Sequence, residues 1–176
     1  PVPFEDIKEE IEKQLKKPLK EIFPYFKKAP IASASISQVH EAKLKNGQRV
    51  AVKVQRPKIR ETMEEDISIM FFLANLLEKH IPRLREYSPI TIVKEFETWT
   101  RQELDFRIEA KHAKRFYYNF KDSRTVKIPK VIDEHTTSKI LTLEYIDGTE
   151  LHDIKKIKKK HCNIKKAIKN GFDAIL

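Results

Sequence analysis

The most informative tetrapeptide of this chain is Val50-Ala51-Val52-Lys53. It lies in the second of two β-rich runs, 39–44 and 49–55, which are joined by Asn46-Gly47. Asn-Gly between two such runs is a strong signal for a tight turn, so the sequence predicts a β-hairpin. Because side chains alternate along a strand, one face carries Val50, Val52 and Val54, and the other carries Ala51, Lys53 and Gln55.

This pattern is typical of the third strand of a kinase-type lobe, which carries Val-Ala-Ile-Lys. The lysine of that strand reaches the α- and β-phosphates of the nucleotide, and the alanine leaves room for the adenine ring. Both side chains must point the same way, and strand alternation places Ala51 and Lys53 on one face. The ordinary alternative is a lysine on a solvated strand face.

A run of small residues lies upstream, where a kinase has its glycine-rich loop. Residues 30–40 are Pro-Ile-Ala-Ser-Ala-Ser-Ile-Ser-Gln-Val-His. Phosphate-binding loops normally use glycine, because backbone N–H groups must approach the anion closely. Alanine and serine still offer N–H groups, and serine adds hydroxyls. The alternative is a small-residue hairpin packed beneath a helix.

Residues 90–120 carry large apolar side chains at helical spacing and predict one long helix. A kinase lobe needs an acid on such a helix, because the acid pairs with the strand lysine. The candidates are Glu97, Glu103, Asp105 and Glu109. Asp105 and Glu109 are one turn apart on one face, whereas Glu103 lies about 120° around the helix from Glu109. Glu103 and Glu109 therefore cannot make the same contact.

The remaining segments predict further helices and strands. An amphipathic helix begins near Phe4, and residues 61–80 predict a well-buried helix. A second strand pair is expected at 127–133 and 139–146. Trp99 and the phenylalanines of the long helix are expected in the core.

The composition of the 176 residues excludes several classes of protein. Three glycines leave no Gly-x-Gly-x-x-Gly loop and no Walker A loop. The single cysteine, Cys162, excludes an internal disulfide framework and a cysteine-based zinc cluster. The net charge of +10 favours an anionic partner. A nucleic acid is not the expected one, because the sequence has no helix-turn-helix, RNP-type or zinc motif.

Four blocks follow one another along the chain. They are Pro30-Ile-Ala-Ser-Ala-Ser-Ile-Ser-Gln-Val-His40, Val50-Ala-Val-Lys-Val-Gln-Arg-Pro57, Glu103-Leu-Asp-Phe-Arg-Ile-Glu-Ala110 and Leu141-Thr-Leu-Glu-Tyr-Ile-Asp-Gly148. In identity, order and spacing they resemble the UbiB/ADCK family of atypical protein-kinase-like proteins. The resemblance extends over residues 4–148.

The resemblance implies an α+β fold, that of a protein-kinase-like N-terminal lobe. We expect an antiparallel sheet of about five strands, a long helix of the αC type and additional helices. The implied domains are a helical N-terminal extension at 1–29, the lobe at 30–147 and the first helices of a C-terminal lobe at 148–176.

The resemblance also implies roles for single residues. Lys53 matches the nucleotide-anchoring lysine, Glu109 is favoured as its partner, and Glu103 is the alternative. Glu103 and Asp105 match the family's Glu-x-Asp motif. The implied nucleotide-binding positions are Ala32, Ser33, Ala34 and Ser35 of an alanine-rich loop, Ala51 and Lys53 of the strand, Leu143 as gatekeeper, and Glu144 to Ile146 of the hinge.

Members of the family bind and hydrolyse ATP and support isoprenoid-quinone lipid biosynthesis, and ordinary phosphorylation of protein substrates is not expected of them. The chain begins with Pro1 and has no catalytic-loop motif and no Asp-Phe-Gly, since Asp173 lies in Phe-Asp-Ala. We therefore expect a fragment of a longer enzyme, with the magnesium ligands elsewhere in that enzyme. These 176 residues alone should not transfer a phosphoryl group.

The lysine-rich tail favours an alternative function. Beyond residue 150, isoleucines at helical spacing lie among many lysines, as in helices that bind anionic membrane surfaces. The alternative is a non-catalytic scaffold module that associates with an anionic membrane surface or an isoprenoid lipid. The most apolar run, 67–77, is about half the length that a membrane-crossing helix needs. We expect a cytoplasmic protein, and peripheral association with a membrane is the alternative.

Overall fold

The computed structural model describes residues 1–149, 153, 156–157 and 163–175 of the chain. The helices are α1 (Phe4–Leu15), α2 (Leu19–Ile22), α3 (Ile59–His80), α4 (Pro89–Glu103), α5 (Phe106–Phe120) and α6 (Ile164–Ile175). The strands are β1 (Tyr25–Phe26), β2 (Ala32–Ser33), β3 (Ser37–Lys43), β4 (Arg49–Gln55) and β5 (Ile140–Glu144). Short 3-10 helices occupy Pro82–Tyr87 and Asp133–His135. The predicted α+β class is confirmed.

The strands form one antiparallel sheet in the order β1-β3-β4-β5. The short strands β1 and β2 pair with successive parts of the same edge of β3. The β3–β4 hairpin turns at Asn46-Gly47, where Gly47 has a φ of +82°, in the left-handed region that glycine tolerates best. The predicted hairpin and the five-stranded antiparallel sheet are therefore confirmed.

The valine row of β4 forms the centre of the main core. Val50, Val52 and Val54 are each fully buried. They cluster with Ile7 and Ile11 of α1 and with other buried side chains from both ends of the sheet. Residues 1–29 therefore share a core with the sheet, and they also supply β1. A smaller cluster lies on the opposite face of the sheet, where α5 packs beside Lys53.

The predicted single helix over 90–120 is wrong, because α4 ends at Glu103 and α5 begins at Phe106. Asp105 between them has extended backbone, and its carboxylate accepts a hydrogen bond from the backbone N–H of Arg107. Aspartate is favoured at this N-cap position because it satisfies an amide that has no partner within the helix. Asp105 therefore begins the helix that carries Glu109 and does not share a helical face with it.

Helix α3 is less buried than the sequence predicts. Within this helix, which the structure describes throughout, the buried residues are Ile67 and Ala74. The exposed apolar side chains are Ile69, Phe72, Leu73, Leu76 and Leu77. The helix packs against α4 and the following 3-10 helix, and these cover one face of it. The apolar residues of α3 occupy more than one face of the helix. Those on the uncovered faces are therefore exposed to solvent.

The predicted second strand pair is half wrong. The segment 139–146 contains β5, but 127–133 contributes one isolated bridge, from Val131 to Leu143. Pro129 has no N–H to give to a ladder, and the 3-10 helix Asp133–His135 follows directly.

The lysine-rich tail lies in part outside the described residues, including Lys155, Lys158, Lys159 and Lys160. Its described part contains α6, whose Ile164, Ile168 and Phe172 are exposed. Among the described residues, no helix is both long enough and apolar enough to cross a bilayer.

Candidate functional site

Lys53 lies in the middle of β4, on the face opposite the valine row. Its Nζ atom is 2.6 Å from Oε2 of Glu109 on α5. The same atom lies 4.6 Å from the centre of the Phe106 ring, within the range in which a cation is attracted to an aromatic face. The side chain of Lys53 remains 25% exposed. The ammonium group is therefore held by α5 and remains open to a ligand.

Glu103, the alternative partner, forms no ion pair or hydrogen bond with Lys53 in the described part of the chain. It is the last residue of α4, and the helix break separates it from the helix that carries Glu109. Glu103 lines two cavities together with Lys53. The structure thus pairs Lys53 with Glu109, and the chemical roles of all three residues stay predictions.

Lys53 lines both cavities. One, of about 510 Å³, also has Asp105, Glu109 and His112 in its wall. The other, of about 410 Å³, lies beneath the alanine-rich loop. Trp99 lines both and is 68% exposed, so the prediction that it belongs to the core is wrong. Helix α4 presents this indole to the cavities and not to the sheet.

The alanine-rich loop is a short antiparallel hairpin. Ala32 and Ser33 form β2, which pairs with β3, and the N–H of Ala34 donates to Ser37 O at 2.9 Å. Ser35 is exposed and lines the cavity beneath the loop together with Lys53. The loop is therefore closed by its own backbone, and a hydroxyl lies in the wall of the same cavity as the lysine.

Arg56 ties this loop to the end of β4. Its Nη2 donates to Ala34 O at 2.7 Å and to Ser33 Oγ at 3.2 Å, and its backbone N–H donates to Ile36 O at 2.9 Å. Sequence reasoning did not assign a role to Arg56. The sequence feature that could have indicated a role for Arg56 is its position directly after the strand that carries Lys53.

The predicted hinge lies at the end of β5. Ala51 is paired in register with Leu143, which places the predicted adenine-side alanine beside the predicted gatekeeper. The N–H of Glu144 donates to Lys130 O at 2.8 Å, and that of Tyr145 donates to Arg49 O at 3.1 Å. The backbone N–H of Ile146 makes no hydrogen bond that the structure describes. Within the predicted hinge, Ile146 therefore has the backbone N–H that is without a partner among the described residues.

Two acids, one at the predicted hinge and one at the start of α5, accept hydrogen bonds from basic side chains. Lys127 Nζ lies 2.5 Å from Glu144 Oε1, and this hydrogen bond lowers the pKa of the Glu144 carboxyl. The Arg107 guanidinium donates to both carboxylate oxygens of Asp105 and lowers its pKa in the same way. Both side chains are thus engaged as anions within the fold.

The described residues fit a nucleotide better than a metal. The ammonium group of Lys53 and the hydroxyl of Ser35 line the same cavity, and both groups can donate hydrogen bonds to phosphate oxygens. Among the described residues, no group of three or more histidines, cysteines or acids could hold a metal ion.

The known proteins to which this chain is similar carry related descriptions. The profile of the ABC1 atypical kinase-like domain matches residues 1–176. A probable protein kinase UbiB of Aliivibrio salmonicida (strain LFI1238) is 39% identical over 165 residues, which cover 93% of this chain and 30% of that protein. One of Marinobacter nauticus (strain ATCC 700491 / DSM 11845 / VT8) is 35% identical over 173 residues, which cover 98% of this chain and 32% of that protein.

A solved structure has a similar fold. It is described as the complex of Rv3197 with erythromycin from Mycobacterium tuberculosis, and it superposes with a TM-score of 0.75 at 30% identity. The match covers 89% of this chain and 39% of that one. The chain thus spans about a third of the length of the relatives that it matches.

Proposed function

Since this chain belongs to the ABC1 atypical kinase-like family, we propose that it is the ATP-binding part of an atypical kinase or ATPase of the UbiB type. The observation that carries the proposal is the contact of 2.6 Å between Lys53 Nζ and Glu109 Oε2. A strand lysine held by a helix acid is the arrangement that positions nucleotide phosphates in kinase lobes. The name that these relatives carry, probable protein kinase UbiB, agrees with this proposal.

Each residue has a distinct part in the proposed site. Lys53 binds the α- and β-phosphates, and Glu109 holds its ammonium group in place. The loop around Ser35 covers the phosphates, while Ala51 and the hinge backbone at Ile146 accommodate the base. Bound ATP with magnesium supplies the phosphoryl group, and the groups that orient magnesium and the nucleophile are proposed to lie elsewhere in the intact protein.

For these 176 residues alone we expect no phosphoryl transfer. Their sequence has no Asp-Phe-Gly motif and no catalytic-loop motif, so nothing is assigned to hold magnesium or to orient a nucleophile. A robust ATPase rate from the purified 176-residue chain would contradict this. From the resemblance, we further propose that the intact protein supports isoprenoid-quinone lipid biosynthesis.

The proposal is tested by Lys53→Ala in the intact protein, with ATP binding measured by calorimetry. We expect the affinity to fall at least about tenfold, because a charge-assisted contact to phosphate is lost, while the circular dichroism spectrum stays unchanged. The matched control is Lys43→Ala, which removes an exposed lysine at the end of the neighbouring strand. Unchanged ATP binding in Lys53→Ala would refute the assignment.

A second candidate function is a scaffold module that binds an anionic membrane or an isoprenoid lipid through its basic tail. The observation that favours it is α6, on which Ile164, Ile168 and Phe172 are exposed. At about 100° per residue, Lys166 lies opposite these apolar side chains, Lys169 lies on the flank of the helix and Lys165 lies beside Phe172. Co-sedimentation with vesicles, with and without anionic lipid, tests this function. Equal binding to both vesicle types, or binding to neither, argues against it.

A further inference from the structure

Gln55 joins the strand that carries Lys53 to the helix that carries Glu109. It is the last residue of β4, two positions after Lys53, and is 1% exposed. Its Nε2 donates to Leu104 O at 2.9 Å and to Ser138 O at 3.3 Å. A primary amide has two N–H groups. Both are therefore used on carbonyls that lie far from Gln55 in the sequence.

These two carbonyls define the break between α4 and α5. Leu104 is the C-cap of α4, and Arg60 Nη2 donates to the carbonyl of Leu104 at 3.3 Å. Ser138 O also accepts the backbone N–H of Phe106, the first residue of α5, at 2.9 Å. Gln55 and the first turn of α5 thus share one acceptor, so the N-terminus of α5 is fixed relative to β4.

The amide of Gln55 is held by its nitrogen alone. Both of its partners are carbonyl oxygens, which can only accept, so Nε2 must face them. Its Oε1 is buried and has no hydrogen-bond partner among the described residues. A buried oxygen without a partner destabilises a fold. The stabilising part of this side chain is therefore its link to the helix break.

We propose that Gln55 is a positioning residue that sets the contact between Lys53 and Glu109. Phe106 and Glu109 are three residues apart on α5 and lie on one side of the helix. Both contact Lys53 Nζ. Because Gln55 fixes α5 one turn before Glu109, the helix cannot leave the strand without breaking these hydrogen bonds. The effect of Gln55 on ATP binding rests on the proposed function, whereas its effect on the position of α5 does not.

The geometric part is tested in the intact protein by Gln55→Met, which keeps the length of the side chain and removes both donors. Hydrogen exchange, followed by mass spectrometry, is expected to accelerate about tenfold at amides 106–109 and little at 113–120. The matched control is Gln38→Met. Gln38 is equally buried, but it lies in β3 and faces the valine side of the sheet.

Unchanged exchange at 106–109 in Gln55→Met would overturn the proposal, and so would equal acceleration in Gln38→Met. If Gln55→Met does not fold, Arg60→Met takes its place, because it removes the other side-chain donor to Leu104 O. A smaller acceleration confined to 106–109 then supports the proposal, and an unchanged pattern contradicts it.

The functional part is tested by a double-mutant cycle with Glu109→Gln, with the Kd for ATP as the readout. We expect Gln55→Met to raise the Kd about tenfold in the wild-type background, but less than about twofold in the Glu109→Gln background, because the contact that Gln55 positions is already lost. Full additivity would show that Gln55 acts elsewhere. A wild-type protein without affinity for ATP would instead sink the proposed function, and the exchange experiment would still decide the geometric part.

Discussion

Lys53 and Glu109 are 56 residues apart in the sequence, and two separate elements bring them together. The strand supplies a lysine that cannot turn into the core, since the alternate positions of β4 are filled by buried valines. The helix supplies an acid one turn after its first residue. The contact therefore depends on where α5 begins and on the register of β4.

The two glutamates that the sequence offered as partners should behave differently. In the intact protein, Glu109→Gln should weaken ATP binding about tenfold, because a neutral amide holds the ammonium less firmly than a carboxylate does. Glu103→Gln should change the affinity by less than about twofold, because Glu103 forms no ion pair or hydrogen bond with Lys53 in the described part of the chain and the loss of an exposed charge has a small effect. Calorimetric titration of both variants measures this, and the reverse ranking would restore Glu103 as the partner.

Part of the geometry of the candidate site could be predicted at the level of residues. The pattern Val-Ala-Val-Lys identified Lys53 and Ala51, because strand alternation is local and has a strict period of two. The choice between Glu103 and Glu109 stayed open in the helical pattern itself, because it depends on where the helix breaks. The hydrogen bonds of Gln55 and Arg56 could not be predicted from the sequence. Gln55 donates to two backbone carbonyls, and Arg56 donates to one as well as to the Ser33 hydroxyl. Main-chain partners carry no side-chain signal in the sequence.

His40 is a buried group whose titration should affect stability. Its ring is fully buried, Nδ1 hydrogen-bonds to Lys27 O at 2.9 Å, and the ring packs 5.1 Å from that of Phe26. Burial lowers its pKa, and the bond to the carbonyl opposes this only in part. The unfolded chain therefore binds a proton at a higher pH than the folded chain does, and stability should fall as the pH drops below about 6.5.

The measurement is the urea midpoint of the 176-residue chain at pH 7.5 and at pH 5.5. We expect the midpoint of the wild type to fall over this interval and that of His40→Gln to fall less. The control is His80→Gln, which replaces an exposed histidine and should keep the wild-type slope. An equal slope in His40→Gln and the wild type would contradict the prediction.

At the scale of elements, the start of α5 has a side-chain cap. Asp105 Oδ1 accepts the N–H of Arg107 at 3.0 Å, and the guanidinium of Arg107 closes on the same carboxylate. Asp105→Ala should lower the free energy of unfolding by about 1 kcal/mol, and Asp105→Ser should recover most of it, because serine caps nearly as well. Urea denaturation of both variants measures the loss and the recovery.

The same cap has a pH dependence of defined sign. Arg107 lowers the pKa of Asp105, so the stabilisation is present above the unfolded value of about 3.9 and is lost as the pH falls below it. Asp122→Ala, in an exposed turn, is the matched control and should change stability little. If Asp105→Ala is as stable as this control, α5 does not depend on its cap.

Element types were easier to predict than element ends and exposed faces. Apolar spacing runs through residues 90–120 without interruption, because α4 and α5 both present apolar residues near helical period. The helix is interrupted at Leu104 and Asp105. Tertiary hydrogen bonds to Leu104 O and Ser138 O set this interruption. The hydrophobicity of α3 likewise predicted burial, but which of its faces is covered depends on α4, which lies later in the chain.

At the scale of the whole molecule, the N-terminal helix and the sheet share one hydrophobic core. The resemblance implies a helical extension at 1–29, and within it Ile7 and Ile11 are fully buried in the cluster that contains the valine row. A core shared in this way makes the first helix and the sheet one cooperative unit, since neither can lose its partner without exposing apolar surface.

This cooperativity can be measured with two isoleucines in the 176-residue chain. Ile11→Ala should lower the free energy of unfolding by about 2–5 kcal/mol, because it leaves a cavity in the core. The control, Ile69→Ala, should change it by less than about 0.5 kcal/mol, because Ile69 is 57% exposed. In Ile11→Ala, hydrogen exchange in the middle of β4 should accelerate by the factor that corresponds to the global loss, since the amides of one cooperative unit exchange through its unfolding. If exchange in β4 stays at the wild-type rate while α1 alone loses protection, residues 1–29 form a separate unit, and the valine row is stable without them.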